Sequence, residues 1–111
     1  MIDGLRLKAK IRYFAALREI TNLREETLEV DEGTTVLDIL NLLVNRHGDR
    51  FREYVFDSRT GNPHPYLQLL LDEKSISTMQ GLSTTLKSDC EFVIIPPVGG
   101  GTWDGLALSE N

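Results

Sequence analysis

Residues 5–13 impose the first constraint, because Leu5, Leu7, Ala9, Ile11 and Tyr13 alternate with Arg6, Lys8, Lys10 and Arg12. A period of two puts the apolar side chains on one face of a strand and the cations on the other, so this segment predicts a strand with one buried face. Residues 24–30 alternate again toward their end and predict a second strand, antiparallel to the first, whose charges suit a sheet edge. Between the two, residues 15–20 hold good helix formers that stop at Thr21-Asn22, which predicts one helical turn inside the hairpin connection.

Gly33-Thr34-Thr35 opens the strongest helical pattern. Thr35 and Asp38 have the spacing of a capping box. Val36, Ile39, Leu40, Leu43 and Val44 share one face, and Gly48 supplies the C-terminal cap of a helix about twelve residues long. Residues 51–55 suit a second helical segment, and residues 57–65 are so dense in turn formers that they predict an exposed loop. Residues 66–71 predict a short apolar strand, 72–74 a turn, and Ser75-Ile76 a brief return strand. Residues 90–95 form the last strand, ended by Pro96-Pro97 because neither proline can donate a ladder hydrogen bond.

This order describes an α+β roll: a mixed sheet with one main helix on one face. The consecutive apolar residues at 92–95 and 69–71 must then place some side chains on the face away from the helix. Either the long loop covers them or they dock another protein. Whether Phe92 and Ile94 or Val93 and Ile95 point outward is left open, because a one-residue shift exchanges the faces; Phe92 and Ile94 are favoured as the outward, partner-binding pair.

The chain has 111 residues, enough for one domain and too few for two enzymatic ones. Apolar residues at 41% support a packed core, and a net charge of -5 gives no electrostatic drive toward nucleic acid or anionic lipid. A single cysteine, Cys90, cannot close an intramolecular disulfide, and the N-terminus lacks the apolar run of a signal peptide or membrane span, so a cytoplasmic monomer is expected.

No catalytic constellation emerges. His47 ends the main helix and His64 lies between two prolines, with no second ligand at a metal-binding spacing. Cys90 begins an apolar strand beside Asp89 and Glu91, an environment that raises a thiol pKa and suits a structural role. The pairs Glu25-Glu26 and Asp31-Glu32 are read as solvated charge. Gly99-Gly100-Gly101 is the remaining anomaly. It leads into Thr102-Trp103-Asp104-Gly105 rather than into the Lys-Ser or Lys-Thr of a phosphate loop, so either a flexible linker or a special terminus is needed.

Three segments in order, Tyr13-Phe14-Ala15-Ala16-Leu17-Arg18-Glu19, Gly33-Thr34-Thr35-Val36-Leu37-Asp38-Ile39-Leu40 and Pro96-Pro97-Val98-Gly99-Gly100-Gly101, resemble the signatures of MoaD-like sulfur carriers and of the archaeal ubiquitin-like modifiers. The resemblance implies the ubiquitin-like β-grasp fold over residues 1–98, a glycine tail at 99–101 and a removable extension at 102–111. It implies a protein that is no enzyme and binds no cofactor itself. Its reactive group is the C-terminal glycine carboxylate, at Gly100 and Gly101, which an E1-like enzyme adenylates with ATP and magnesium. Pro96, Pro97, Val98 and Gly99, with Phe92 and Ile94, are the implied partner-binding residues. Sulfur carriers of this type ordinarily stop at the diglycine, whereas here the chain continues from Thr102 to Asn111. A precursor cut between Gly101 and Thr102 follows, with a JAMM-type metalloprotease as the implied agent and cleavage after Gly100 as the variant that also leaves a diglycine. The further partners implied are E2- or E3-like enzymes and lysine-bearing target proteins, and the alternative use is a thiocarboxylate for molybdopterin synthesis or tRNA thiolation.

Overall fold

Alternation at the N-terminus is realised in β1 (Arg6–Arg12), whose side chains are exposed and buried in strict turn. The structure, a computed structural model, describes residues 6–96. After β1 come α1 (Ala16–Thr21), β2 (Glu25–Asp31), α2 (Val36–His47), α3 (Asp49–Val55), β3 (Gln68–Leu71), β4 (Lys74–Ser75) and β5 (Cys90–Ile95). The strands form one mixed sheet in the order β2-β1-β5-β3-β4. β5 lies parallel to β1 and antiparallel to β3, so the last strand takes the centre, while β2 is an edge as its charges suggested.

The main helix forms where its caps demand. Asp38 N–H donates to the Thr35 hydroxyl and Thr35 N–H to the Asp38 carboxylate, each at 3.0 Å, completing the capping box. At the other end Gly48, with φ of 90°, donates its N–H to Val44 O at 2.8 Å. Val36, Ile39, Leu40, Leu43 and Val44 are the buried face of α2, and they pack with Leu7, Ala9 and Ile11 of β1 and Leu28 and Val30 of β2 into one core. Phe51 of α3 is fully buried in it. Residues 84–86 are stitched to the start of α2 by Val36 N–H to Thr84 O and by the two bonds that Leu86 exchanges with Gly33 and Thr34.

Several expectations need correction. β3 begins at Gln68 rather than at residue 66, because Pro65 and Tyr66 lie in a turn closed by Leu67 N–H to His64 O. The return strand is Lys74–Ser75, and Ile76 instead opens a 3-10 turn over Ile76–Thr78, where the Ser77 N–H donates to the Ser75 hydroxyl. Glu26 is not solvated. The alternation that buries Leu28 and Val30 also turns Glu26 inward, and its side chain is 6% exposed.

Phe92 and Ile94 are not outward residues either. Ile11 pairs with Phe92, and Leu69 pairs with Ile94, so both share the helix-facing side and are 1% and 0% exposed. Burial of each contributes about 2–3 kcal/mol. The outward residues of β5 are therefore Glu91, Val93 and Ile95, by the same parity.

Candidate functional site

The position of β5 decides where the glycines are tethered. It is held on both sides by β1 and β3, it ends at Ile95, and the ring of Pro96 is buried behind it. Pro97, Val98, Gly99, Gly100, Gly101 and Thr102 lie outside the described residues, so the expectations that fall on them have no geometry here.

Two features flank the end of β5. On the face away from the helices, Leu70 pairs with Val93 and Gln68 with Ile95, which gathers Leu70, Val93 and Ile95 into an apolar strip. Val93 is buried and the other two are half-buried. Arg12, beside Val93 in the parallel register, reaches Glu91 at 3.5 Å along one border. Because β1 and β5 run parallel, the residues after Arg12 accompany those after Val93. There Phe14 is half-buried between the guanidinium groups of Arg12 and Arg18, 5.8 and 5.5 Å from its ring centre. Arg18 Nε also donates to Tyr13 O at 3.0 Å, which ties α1 back to the end of β1.

Tyr13, Glu26 and His47 form a buried polar knot under this end of the sheet, with the largely exposed Arg46 reaching it from outside. Glu26 accepts from the Tyr13 hydroxyl, lies 2.5 Å from His47 Nε2, and has Arg46 Nε 2.6 Å from Oε1 in an ionic contact without hydrogen-bond direction. Burial pushes the Glu26 carboxyl up, but the bonds from Tyr13 and His47 and the charges of His47 and Arg46 outweigh it, leaving it below the usual carboxylate range. Burial first, then the bond and charge of Glu26, push the Tyr13 hydroxyl well above its ordinary value. This knot joins the residue after β1 to β2 and α2, and Tyr13 and His47 are packed edge to face at 6.0 Å.

The remaining candidates do not converge. His64 is stacked on Tyr66 at 4.8 Å in the loop after α3. Burial and the charges of Asp72 and Asp89 push the Cys90 thiol up to about 11, which makes it an inert packing residue. Among the described residues no group of three or more His, Cys, Asp and Glu could hold a metal ion, and no helix is long and apolar enough to cross a membrane. Sequence reasoning kept Val93 and Ile95 as the alternative outward pair but favoured Phe92 and Ile94, so it did not find the strip. The signal that could have found it is Glu91: a charge on the wet face sets the parity, and Val93 and Ile95 follow at steps of two.

Comparison with known proteins bears on this geometry. The ThiS family profile matches residues 11–101. Small archaeal modifier protein 3 of Haloferax volcanii is 25% identical over 95 residues, covering 86% of this chain and all of that one. Among solved structures, small archaeal modifier protein 1 of Methanosarcina acetivorans superposes with a TM-score of 0.72 at 29% identity, covering 88% of this chain and 100% of that one. A putative molybdopterin converting factor, subunit 1, of Pyrococcus furiosus superposes with a TM-score of 0.65 at 25% identity over 83% and 99% of the two chains. The mixed sheet with its crossing helix is the ubiquitin-like β-grasp fold of the archaeal modifier structures.

Proposed function

This chain belongs to the ThiS family, and from that premise we propose that it is a ubiquitin-like protein modifier made as a precursor, whose working group is the carboxylate of Gly101. It is homologous to small archaeal modifier proteins, which supports that reading. The observation that carries it is where the family match stops: at residue 101, the last of three consecutive glycines, while the sequence runs on to Asn111.

While the peptide bond from Gly101 to Thr102 persists, Gly101 has no carboxylate to activate. Hydrolysis of that bond by a protease, in our reading a JAMM-type metalloprotease, creates one. A free α-carboxylate has a pKa of about 3.5 and resists acyl transfer while it is an anion. An E1-like enzyme solves this with ATP and magnesium. A carboxylate oxygen bonds to the α-phosphorus, pyrophosphate leaves, and the acyl carbon now carries AMP as a leaving group. A lysine amine of a target protein then attacks that carbon, directly or through E2- or E3-like enzymes, and AMP departs as the isopeptide bond forms. Glycine suits the terminus because it lacks a Cβ and lets an extended chain thread a narrow channel with its acyl carbon open. The strip of Leu70, Val93 and Ile95, on the strand that leads into the glycines, is the surface we assign to the activating enzyme.

A second reading is favoured by one observation, the similarity to the Pyrococcus furiosus molybdopterin converting factor subunit. In that use sulfur replaces a carboxylate oxygen after adenylation, giving a thiocarboxylate for molybdopterin synthesis or tRNA thiolation. Mass spectrometry of the endogenous protein separates the two. A Gly101 isopeptide on a target lysine is the expected result, and an oxygen-to-sulfur exchange at the terminus supports the second use. Recovery of only full-length chains ending at Asn111, from cells that contain the protease, contradicts both.

A further inference from the structure

The far edge of the sheet carries a different surface, and we propose that β2 accepts an extended segment of another protein as a sixth strand, one that alternates basic and apolar side chains. The free backbone groups follow from the register. Tyr13 N–H donates to Arg24 O at 2.9 Å, so Tyr13 and Arg24 are a hydrogen-bonded pair of the antiparallel ladder. Such pairs alternate along the ladder, which makes Ile11 with Glu26, Ala9 with Leu28 and Leu7 with Val30 hydrogen-bonded as well. Lys8 N–H points the other way, to the Asp89 carboxylate at 2.8 Å, as this phase requires. The N–H and C=O groups of Thr27 and the N–H of Glu29 therefore face away from β1, where no other described strand pairs with them, while the Glu29 C=O accepts a long 3.5 Å bond from Arg6 Nη2 that an incoming N–H would displace. A sheet edge of this kind is a template for strand addition.

The side chains say what the added strand carries. On the outer face the charges run in rows: Asp89 and Glu91 beside β5, then Arg6, Lys8, Lys10 and Arg12 on β1, then Glu25, Glu29 and Asp31 on β2. Arg6 sits 3.0 Å from Asp31, and Lys10 sits 3.9 Å from Glu25, so neighbouring rows attract. The next row outward is complementary if it is basic. The added strand also borders a shallow groove of about 420 Å³ between β2 and α2, lined by Val30, Thr34, Asp38, Asn41, Leu42 and Asn45 together with the outer-face Arg6, Glu29 and Asp31. Leu42 is 43% exposed there, an apolar contact for alternate side chains of the incoming segment.

The same charges exclude the two other occupants. A second copy pairing edge to edge would bring the acidic row of β2 against itself. The chain's own residues 97–111 contain Asp104 and Glu110 and no Lys or Arg, so that segment would be repelled by the same row.

This surface is independent of the chemistry at Gly101, and its test reads no activation. The isotope-labelled full chain is titrated with the blocked peptide Ac-Lys-Val-Lys-Val-Lys-Val-Lys-NH2 and followed by amide shifts and hydrogen exchange. Saturable shifts around Leu42 and slowed exchange at Thr27 and Glu29 are expected, with the matching Glu and Val peptide at least tenfold weaker. Thr27→Pro removes an outward N–H without breaking a bond to β1, so it is expected to keep the unfolding midpoint and lose at least tenfold in affinity. Should that variant not fold, Leu42→Glu and Glu29→Lys carry the same expectation. Equal binding by the acidic peptide, full affinity in these variants, or shifts confined to Leu70, Val93 and Ile95 would overturn the proposal. So would slow exchange at Thr27 and Glu29 without peptide, whether it disappears when the chain is ended at Gly101 or grows with protein concentration.

Discussion

Glu26 shows how one buried carboxylate can tie segments together, because its oxygens are engaged by Tyr13, just after β1, and by Arg46 and His47 from the end of α2. Glu26→Gln keeps the shape but removes the charge, and is expected to cost roughly 2 kcal/mol at neutral pH by urea denaturation. The pH dependence has a definite sign. A carboxyl whose folded-state pKa is depressed contributes its stabilisation above the unfolded value and loses it as the pH falls through the folded value. The unaltered chain should therefore lose stability below the ordinary glutamate range, near pH 4, more steeply than Glu26→Gln. Parallel acid limbs for the two would contradict the assignment. Ala15 supplies a second residue-level case, since φ of 53° is unfavourable for a residue with a Cβ. Ala15→Gly is expected to raise stability by about 1 kcal/mol in the same assay, and a loss would refute the strain.

Among the elements, β5 has two faces with opposite duties. Phe92→Ala empties a fully buried site and should cost about 3–5 kcal/mol, read as a lower urea midpoint. Ile95→Asp, on the half-buried outer strip, should cost about 1 kcal/mol while weakening binding to the activating enzyme at least tenfold. If Ile95→Asp binds as well as the unaltered chain, the strip is not the docking face. Parity is also where reading the sequence fell short. Four apolar residues in a row at 92–95 have no periodicity of their own, so without the parity that Glu91 sets, only the pairing of Phe92 with Ile11 and of Ile94 with Leu69 tells inside from outside. The helix α2 was legible to the residue, because its capping box, apolar face and terminal glycine are local signals that need no partner strand. Glu26 was misread for the converse reason: a charge on an edge strand is usually wet, and its three partners come from distant parts of the sequence.

For the molecule as a whole, the fold places one end of a central strand where the glycines begin and leaves an acidic edge at the opposite border of the sheet. The order of strands, the helix and the three glycines in sequence together indicated this plan, since hairpin, helix and final strand allow few compact arrangements. Beyond the antiparallel pair of β1 and β2, which strands were neighbours remained hidden, because the parallel pairing of β1 with β5 joins nearly the whole length of the chain. The central claim concerns the terminus, and ATP–pyrophosphate exchange with an E1-like enzyme tests it most directly. A chain ended at Gly101 is expected to support exchange, while the chain ending at Asn111 supports none until the protease has acted. Absence of exchange with the shortened chain, or equal exchange with both, would contradict the claim.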